Sequence, residues 1–268
     1  MDQSLLTQWR QAGEEAALRG AEQLESWRSR FQIREKAWAD VVTEADVASQ
    51  EIIKKYLLSL FPDHQFLGEE DVHTGDKHAL DLALDAPPTW IIDPLDGTTN
   101  YVHDCPQYCV SIGLMVQSEL VVGIIYDPRQ KEMFSAAKGQ GATLNGQTIR
   151  VSSIQSMGQA LISTGFPPDA DAQERNFKWW RIFAYEAQAL RRTGSTALNM
   201  AYVAAGRFDA YWAFDNYVWD IAGGVVLIRE AGGVVTRCDG TILDPFKADL
   251  LTGNHWIHGR MLELLTTK

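Results

Sequence analysis

An apolar run, Trp90-Ile91-Ile92, delivers the chain into Asp93-Pro94-Leu95-Asp96-Gly97-Thr98-Thr99-Asn100, and no other stretch constrains the fold as tightly. Large apolar residues ahead of a Pro/Gly turn read as a buried strand that stops at a corner, and the Thr pair after the glycine reads as the cap or first turn of a short helix. Two carboxylates three residues apart, on a corner stiffened by Pro94, can converge on oxygen-seeking cations, while Gly97 leaves its amide open to a close-approaching anion. The N–H groups at the start of the helix suit a phosphate, and the Thr98 hydroxyl is placed to orient a water. An Asx-rich turn explains the same residues without any chemistry, so the choice depends on the rest of the chain.

Charge narrows that choice. The 268 residues carry 35 acidic against 24 basic side chains, a formal net charge of -11 that opposes the phosphate backbone of nucleic acid. An acidic protein that acts on a phosphorylated substrate needs bound cations to reverse the local field, so some of these carboxylates are expected to be metal ligands. Apolar residues make up 46%, enough for a sizeable core, but the longest apolar stretches fall far below the ~20 residues that span a bilayer. Met1-Asp2-Gln3-Ser4 leads into an amphipathic segment with Arg10, Glu14 and Glu15, unlike an export signal. Cys105, Cys109 and Cys238 are an odd number in a chain that needs no disulfide staples, which fits a reducing cytoplasm. The Cys105/Cys109 spacing lacks the further His or Cys of a tetrahedral site, so both read as core or surface residues.

The first sixty residues read as two helices, with Leu5, Leu6, Trp9, Ala16, Ala17, Leu24 and Trp27 on one stripe and Val47, Ile52, Ile53, Tyr56, Leu57 and Leu60 on the other. Thr43-Glu44-Ala45-Asp46 has the form of a capping box opening the second helix, which gives Asp46 a structural explanation, and Phe61-Pro62 closes it. Strand patterns follow at 66–67, 90–92, 108–116, 120–126 and 132–136, with a hairpin at Gln117-Ser118-Glu119 and a type I′ signal at Asn145-Gly146, and predict a mostly antiparallel sheet. From residue 160 onward strands at 160–164, 190–193, 208–213, 234–238 and 250–252 alternate with helices at about 172–189, 195–205, 219–231 and 256–265. This order predicts an α/β (α+β) layered sandwich, a single unit over 1–268 built from two packed halves, roughly 1–151 and 152–268.

Two more acidic pieces lie apart in sequence, Gly68-Glu69-Glu70 at a strand end and Trp219-Asp220 at a helix start; each alone reads as a solvated pair or a dipole-favoured N-terminal charge. Taken with the 90–103 segment, with Asp40-Val41-Val42-Thr43-Glu44-Ala45-Asp46, with Arg192-Thr193-Gly194-Ser195 and with Trp219-Asp220-Ile221-Ala222-Gly223-Gly224, they make the chain resemble the inositol monophosphatase family of the magnesium-dependent, lithium-sensitive phosphatases. The resemblance covers nearly the whole chain and implies the αβαβα sandwich of the inositol monophosphatase and fructose-1,6-bisphosphatase type. It implies two or three Mg²⁺ ions per subunit. Glu69, Asp93 and the Leu95 carbonyl would hold one and Asp93, Asp96 and Asp220 another, with Glu70 supporting a looser third. Thr98, with Asp46 behind it, would orient and deprotonate the attacking water in a direct in-line displacement. The amides of Gly97 and Thr98 would grip the phosphate, and Gly194, Ser195 and Thr196 would line the substrate ring alongside the metal ligands. A small phosphorylated polyol as substrate and a homodimeric assembly follow from the same resemblance.

One position departs from the inositol-specific pattern: Ala213 stands where those members carry a Glu that touches the inositol hydroxyls. Asp215 or Asn216 would be its substitute, or the leaving group is another one. The expected activity is therefore hydrolysis of myo-inositol 1-phosphate first. Histidinol phosphate, fructose 1,6-bisphosphate or another sugar phosphate, NADP and adenosine 3′,5′-bisphosphate are alternatives, and a silent phospho-ligand-binding regulatory protein is the rival from another class. Thr99-Asn100-Tyr101, where nucleotide-directed relatives carry Lys-Glu after the first Thr, favours the inositol branch. Lys36 reads as a surface charge, His103 as packed behind the loop, and Trp179, Trp180, Trp212 and Trp219 as core or interface residues.

Overall fold

A computed structural model describes residues 1–28, 30, 33–37, 40–72, 86–167 and 170–266. In chain order the elements are α1 (Gln3–Trp27), β1 (Ile33–Ala37), β2 (Asp40–Thr43), α2 (Glu44–Leu60), β3 (Gln65–Gly68), β4 (Thr89–Asp96), α3 (Thr98–Val102), β5 (Cys109–Val116), β6 (Glu119–Asp127), β7 (Glu132–Ala137), β8 (Ala142–Leu144) and β9 (Gln147–Ile149). The second half continues with β10 (Leu161–Thr164), α4 (Ala170–Glu186), β11 (Ala189–Arg191), α5 (Thr196–Ala204), β12 (Ala210–Asn216), α6 (Val218–Glu230), β13 (Val234–Arg237), β14 (Ala248–Gly253) and α7 (His255–Thr266).

Alternation along the strands sorts the side chains into three cores. Trp90, Ile92, Ile112 and Ile124 face α1 and α2, whose Leu6, Leu24, Ile53 and Leu57 are buried against them. On the other face of the same sheet, Ile91, Ile125 and Phe134 pack on α5 and α6, which also cover Tyr211, Ala213 and Leu250 of the second sheet. Trp212, Phe214 and Leu251 turn the opposite way, onto Phe183 of α4 and Ile257 and Met261 of α7. Helices, sheet, helices, sheet, helices: five layers result, because each sheet has two apolar faces and each needs a cover.

The larger sheet has the order β3-β4-β5-β6-β7-β8-β9 and is antiparallel except for the β3/β4 pair. Gln117 and Ser118, at φ 51° and 62°, and Asn145-Gly146, at 49° and 78°, make the tight turns expected of them. The smaller sheet, β11-β10-β12-β14-β13, is mixed. The middle helix α6 lies so close to the larger sheet that a Cβ on Gly113 would stand 2.5 Å from the Ala222 Cβ, and one on Gly123 2.2 Å from the Gly223 carbonyl oxygen.

Sequence patterns did not reveal the β1/β2 hairpin, which among the described residues forms a two-stranded sheet of its own ahead of α2. The Lys36 side chain lies outside the described residues. His103 does not pack behind the loop; it is exposed at the C-terminal end of α3, where its N–H donates to the Thr99 carbonyl. Trp212 and Trp219 are buried core residues, the first donating to Asn176 and the second stacked on Tyr217 at 4.6 Å, whereas Trp179 and Trp180 on α4 are half-buried.

Candidate active site

The site forms where the larger sheet ends. In a regular strand, residues three apart project to opposite faces, so Asp93 and Asp96 would diverge. The β4/β5 register prevents this: Asp93 pairs with Ser111 but Asp96 with Cys109, three steps against two, and this one-residue bulge at Pro94-Leu95 brings the two carboxylates back into phase. The Asp93 carboxylate accepts from its own Leu95 N–H at 3.0 Å, which stiffens the corner, and the Pro94 carbonyl accepts from Ser49 of α2 at 3.1 Å. Gly97 follows at φ 100°, where a Cβ would meet the Gln107 carbonyl oxygen at 2.8 Å, so glycine is required twice over.

Strand β3 lies parallel to β4 with Gly68 opposite Ile92, which carries Glu69 alongside Asp93. Gln50 of α2 braces this turn by accepting from the Glu70 N–H at 3.0 Å and occupies the space that a Cβ on Gly68 would need. Asp220 arrives from the first turn of α6, where its carboxylate accepts from the Tyr217 N–H at 2.7 Å. Glu69, Asp96 and Asp220 all press their charge on Asp93, which is buried, and burial followed by these three neighbours holds the Asp93 carboxyl well above the usual carboxylate range.

Asp96 is treated differently. Its carboxylate accepts from the Ser195 hydroxyl at 2.5 Å, the Ala197 N–H at 2.6 Å, the Thr196 N–H at 3.2 Å and the Cys109 thiol at 3.7 Å. These donors pull against its burial, which still leaves its carboxyl raised. The N-terminus of α5 therefore grips Asp96, and the Ser195 hydroxyl donates to Asp96 and caps α5 by accepting from the Leu198 N–H at 3.2 Å. Gly194, at φ 89°, lies against Asn100, which donates to the Thr193 and Gln107 carbonyls and so ties α3 to the approach to α5.

Thr98 opens α3, and its hydroxyl lies 3.1 Å from the Leu95 carbonyl and 3.2 Å from Asp46. The other oxygen of Asp46 accepts from the Thr43 N–H and hydroxyl, so the capping box and the site share one carboxylate. Burial first, with Glu69 and Glu70 adding their charge, raises Asp46 to about 7. A group balanced there can take or release a proton near neutrality.

The sequence reading did not single out Ser49 or Gln50, took Asn100 only as a mark of the inositol branch and read Cys109 as a core or surface residue. A signal existed for the first two: Asp46, Ser49, Gln50, Ile53 and Leu57 share one face of α2, so two polar residues sit on a stripe otherwise given to core packing. The cysteines are free, Cys105 exposed and Cys109 buried.

Excess buried negative charge is the feature that bears on a cation. Among the described residues no three Asp, Glu, His or Cys side chains form a group that would hold a metal ion by themselves. Mg²⁺ does not require one, since it keeps several waters and takes one or two carboxylates together with substrate oxygens. Asp93, raised by burial and by the neighbouring charges of Glu69, Asp96 and Asp220, suits such an ion.

Fold and site together define a layered αβαβα protein with an acidic, cation-seeking centre at the end of its larger sheet. The sequence pattern of the inositol monophosphatase family matches residues 5–267. An inositol-1-monophosphatase of Synechocystis sp. is 40% identical over 263 residues, 97% of this chain and 89% of its own length. Among solved structures, an inositol monophosphatase from Anabaena (Nostoc) sp. gives a TM-score of 0.83 at 36% identity, covering 98% of this chain and 96% of that one. The extragenic suppressor protein suhB of Bartonella henselae gives 0.85 at 34%, covering 94% and 95%. The chain belongs to the inositol monophosphatase family, whose members are phosphoric monoester hydrolases with a metal cofactor.

Proposed function

We propose that this chain hydrolyses a small phosphate monoester, myo-inositol 1-phosphate or a close polyol analogue first, with two or three Mg²⁺ ions per subunit. The observation that carries the reading is the gathering of Glu69, Asp96 and Asp220 around the buried Asp93, with Thr98 and Asp46 hydrogen-bonded beside them. Glu69, Asp93 and the Leu95 carbonyl would hold one ion, Asp93, Asp96 and Asp220 a second, and Glu70 would support a third. When bound, the cations neutralise the phosphate and stabilise the attacking and leaving oxygens.

The chain's own residues do the rest. The Thr98 hydroxyl orients the attacking water, and Asp46, with its pKa raised to about 7, receives the proton through it. The Gly97 and Thr98 amides hold the phosphate, and Gly97 at φ 100° has no side chain to obstruct it. Thr196 stands between Asp96, to which its N–H donates, and Tyr211, with which its hydroxyl shares a hydrogen bond at 3.0 Å. With Gly194 and the backbone of Ser195 it lines the leaving-group side. Ala213 adds only a methyl to that wall: a Cβ placed on Gly165 would lie 3.7 Å from it and 3.8 Å from the Thr196 hydroxyl.

The working unit is the whole of 1–268, its halves joined through α5 and α6, and it acts as a lithium-sensitive cytoplasmic homodimer. Among the described residues no helix is long and apolar enough to cross a membrane. Phe177 and Tyr185 on α4, 51% and 84% exposed, are apolar surface suited to a second subunit.

Phosphate release from inositol 1-phosphate, histidinol phosphate, fructose 1,6-bisphosphate, NADP and adenosine 3′,5′-bisphosphate, each with Mg²⁺ and with chelator, tests the reading. Magnesium-dependent release strongest with inositol 1-phosphate is expected. Preference for another ester would replace the substrate, and no release from any would overturn the enzyme reading.

A further inference from the structure

The two faces of β12 lead to different places. Tyr211 and Ala213 project into the middle layer beside α5, whereas Trp212 and Phe214 project outward, into the core under α4 and α7. On that outer side a cavity of about 340 Å³ opens between Arg175, Lys178, Trp179, Phe214, Arg237, Cys238, Asp239 and Asp249. None of these residues belongs to the acidic centre, and the alternation along β12 sets the cavity on the other side of the sheet from it.

Its chemistry is specific. Trp179 meets Phe214 edge-on at 4.8 Å, and the Arg175 guanidinium lies 4.7 Å over the Phe214 ring, so the floor is aromatic and already suited to a cation–π stack. Asp249 is engaged by Arg175 at 3.1 Å and by the Asp215 N–H at 3.2 Å, and Asp239 by Thr241 at 2.5 Å. Both acids keep their charge, Asp249 paired with Arg175 and Asp239 held ionised by Thr241 and the nearby Arg237, while among the described residues the Arg237 Nε has no hydrogen-bond partner. Three cations against two engaged acids make a locally positive pocket in a chain whose net charge is -11. A buried, unpaired guanidinium N–H costs free energy unless an acceptor reaches it. The Cys238 thiol contributes bulk and no reactivity, since burial raises it far above neutrality.

We propose that this cavity is a second ligand site, independent of the carboxylate centre, for a small aromatic monoanion. The ring would lie along Trp179, and its carboxylate would bridge Lys178 and the Arg237 guanidinium. The volume, near the lower end of small-molecule pockets at roughly 300–1,000 Å³, admits one or two fused rings and excludes a peptide or a polymer.

Indole-3-acetate and tryptamine share a ring system and differ in the sign of their charge, so calorimetric titration of the full chain with each is the test. Indole-3-acetate should bind one per chain, at least tenfold tighter than tryptamine, and should not be displaced by inorganic phosphate with Mg²⁺. Lys178→Glu, a change at an exposed position, should weaken indole-3-acetate tenfold or more and narrow or reverse the preference, with phosphatase turnover unchanged. Arg237→Gln should weaken it in the same direction. Equal binding of the two probes, no saturable binding by about 10 mM, displacement by phosphate with Mg²⁺, or an unaffected Lys178→Glu variant would each overturn the proposal.

Discussion

Replacing Ser195 by Ala removes two interactions at once, and the structure sizes both. The hydroxyl caps α5 through the Leu198 N–H, a contribution of about 1 kcal/mol, and it donates to the buried Asp96 carboxylate, a bond to a charged acceptor worth roughly 1.5–3 kcal/mol. Asp96 keeps the Thr196 and Ala197 amides, so the carboxylate is not abandoned, and the combined loss is about 3 kcal/mol. For a domain of this size that is roughly a 6–12 °C fall in Tm, measured by calorimetry or circular dichroism in chelator so that no cation masks the effect. Ser195→Thr keeps both the cap and the donor and should recover most of the loss. In an Asp96→Asn background the acceptor is neutral, its bond is worth about 1 kcal/mol, and Ser195→Ala should cost only about 2. Equal costs in the two backgrounds, or a fall of less than about 2 °C in the parent, would refute the idea that α5 holds Asp96 through this hydroxyl.

Asp93→Asn should abolish Mg²⁺-dependent phosphate release, a loss of at least ~10³-fold, yet raise Tm in chelator, because it removes the buried charge that Glu69, Asp96 and Asp220 oppose. Near-normal turnover would show the centre to be elsewhere. Gly123→Ala forces a Cβ to 2.2 Å from the Gly223 carbonyl oxygen, backbone that cannot rotate away, and should destabilise by about 3 kcal/mol in urea unfolding while lowering turnover through a displaced α6 and its Asp220. Burial and the nearby His255 lower His258 to about 4, and its ring shares a hydrogen bond with Thr236 at 2.8 Å. The unfolded chain takes up that proton near pH 6.5, so stability should be full above this value and decline as pH falls towards 4. His258→Gln should flatten that limb by roughly 2 kcal/mol in unfolding measured at pH 4.5 against pH 7.5, and an unchanged limb would remove His258 as its source.

The periodicities of the chain specified nearly every long element, because helices and strands here each bury a single apolar side or a continuous apolar run. The β1/β2 hairpin escaped because its sequence, with alternate charges and no turn dipeptide, pairs only with itself. Gln50 and Ser49 escaped for another reason: a polar residue on a core-facing stripe says that something buried needs a partner, but not what. Ser195 was visible as part of a motif, but only the docking of α5 against β4 turns its hydroxyl to Asp96.

By itself the sequence determined the two-sheet layered architecture and supplied the candidate acids, since the strand-to-corner segment, the Glu69-Glu70 pair and Trp219-Asp220 are each written locally. Tertiary structure decided what those acids are to one another. The bulge at Pro94-Leu95 puts Asp93 and Asp96 in phase, the β3/β4 register sets Glu69 beside them, and the glycines of β5 and β6 let α6 approach closely enough to deliver Asp220. Charge repulsion and burial depend on distance across some 150 residues of chain, from Glu69 to Asp220, and no local pattern encodes that distance.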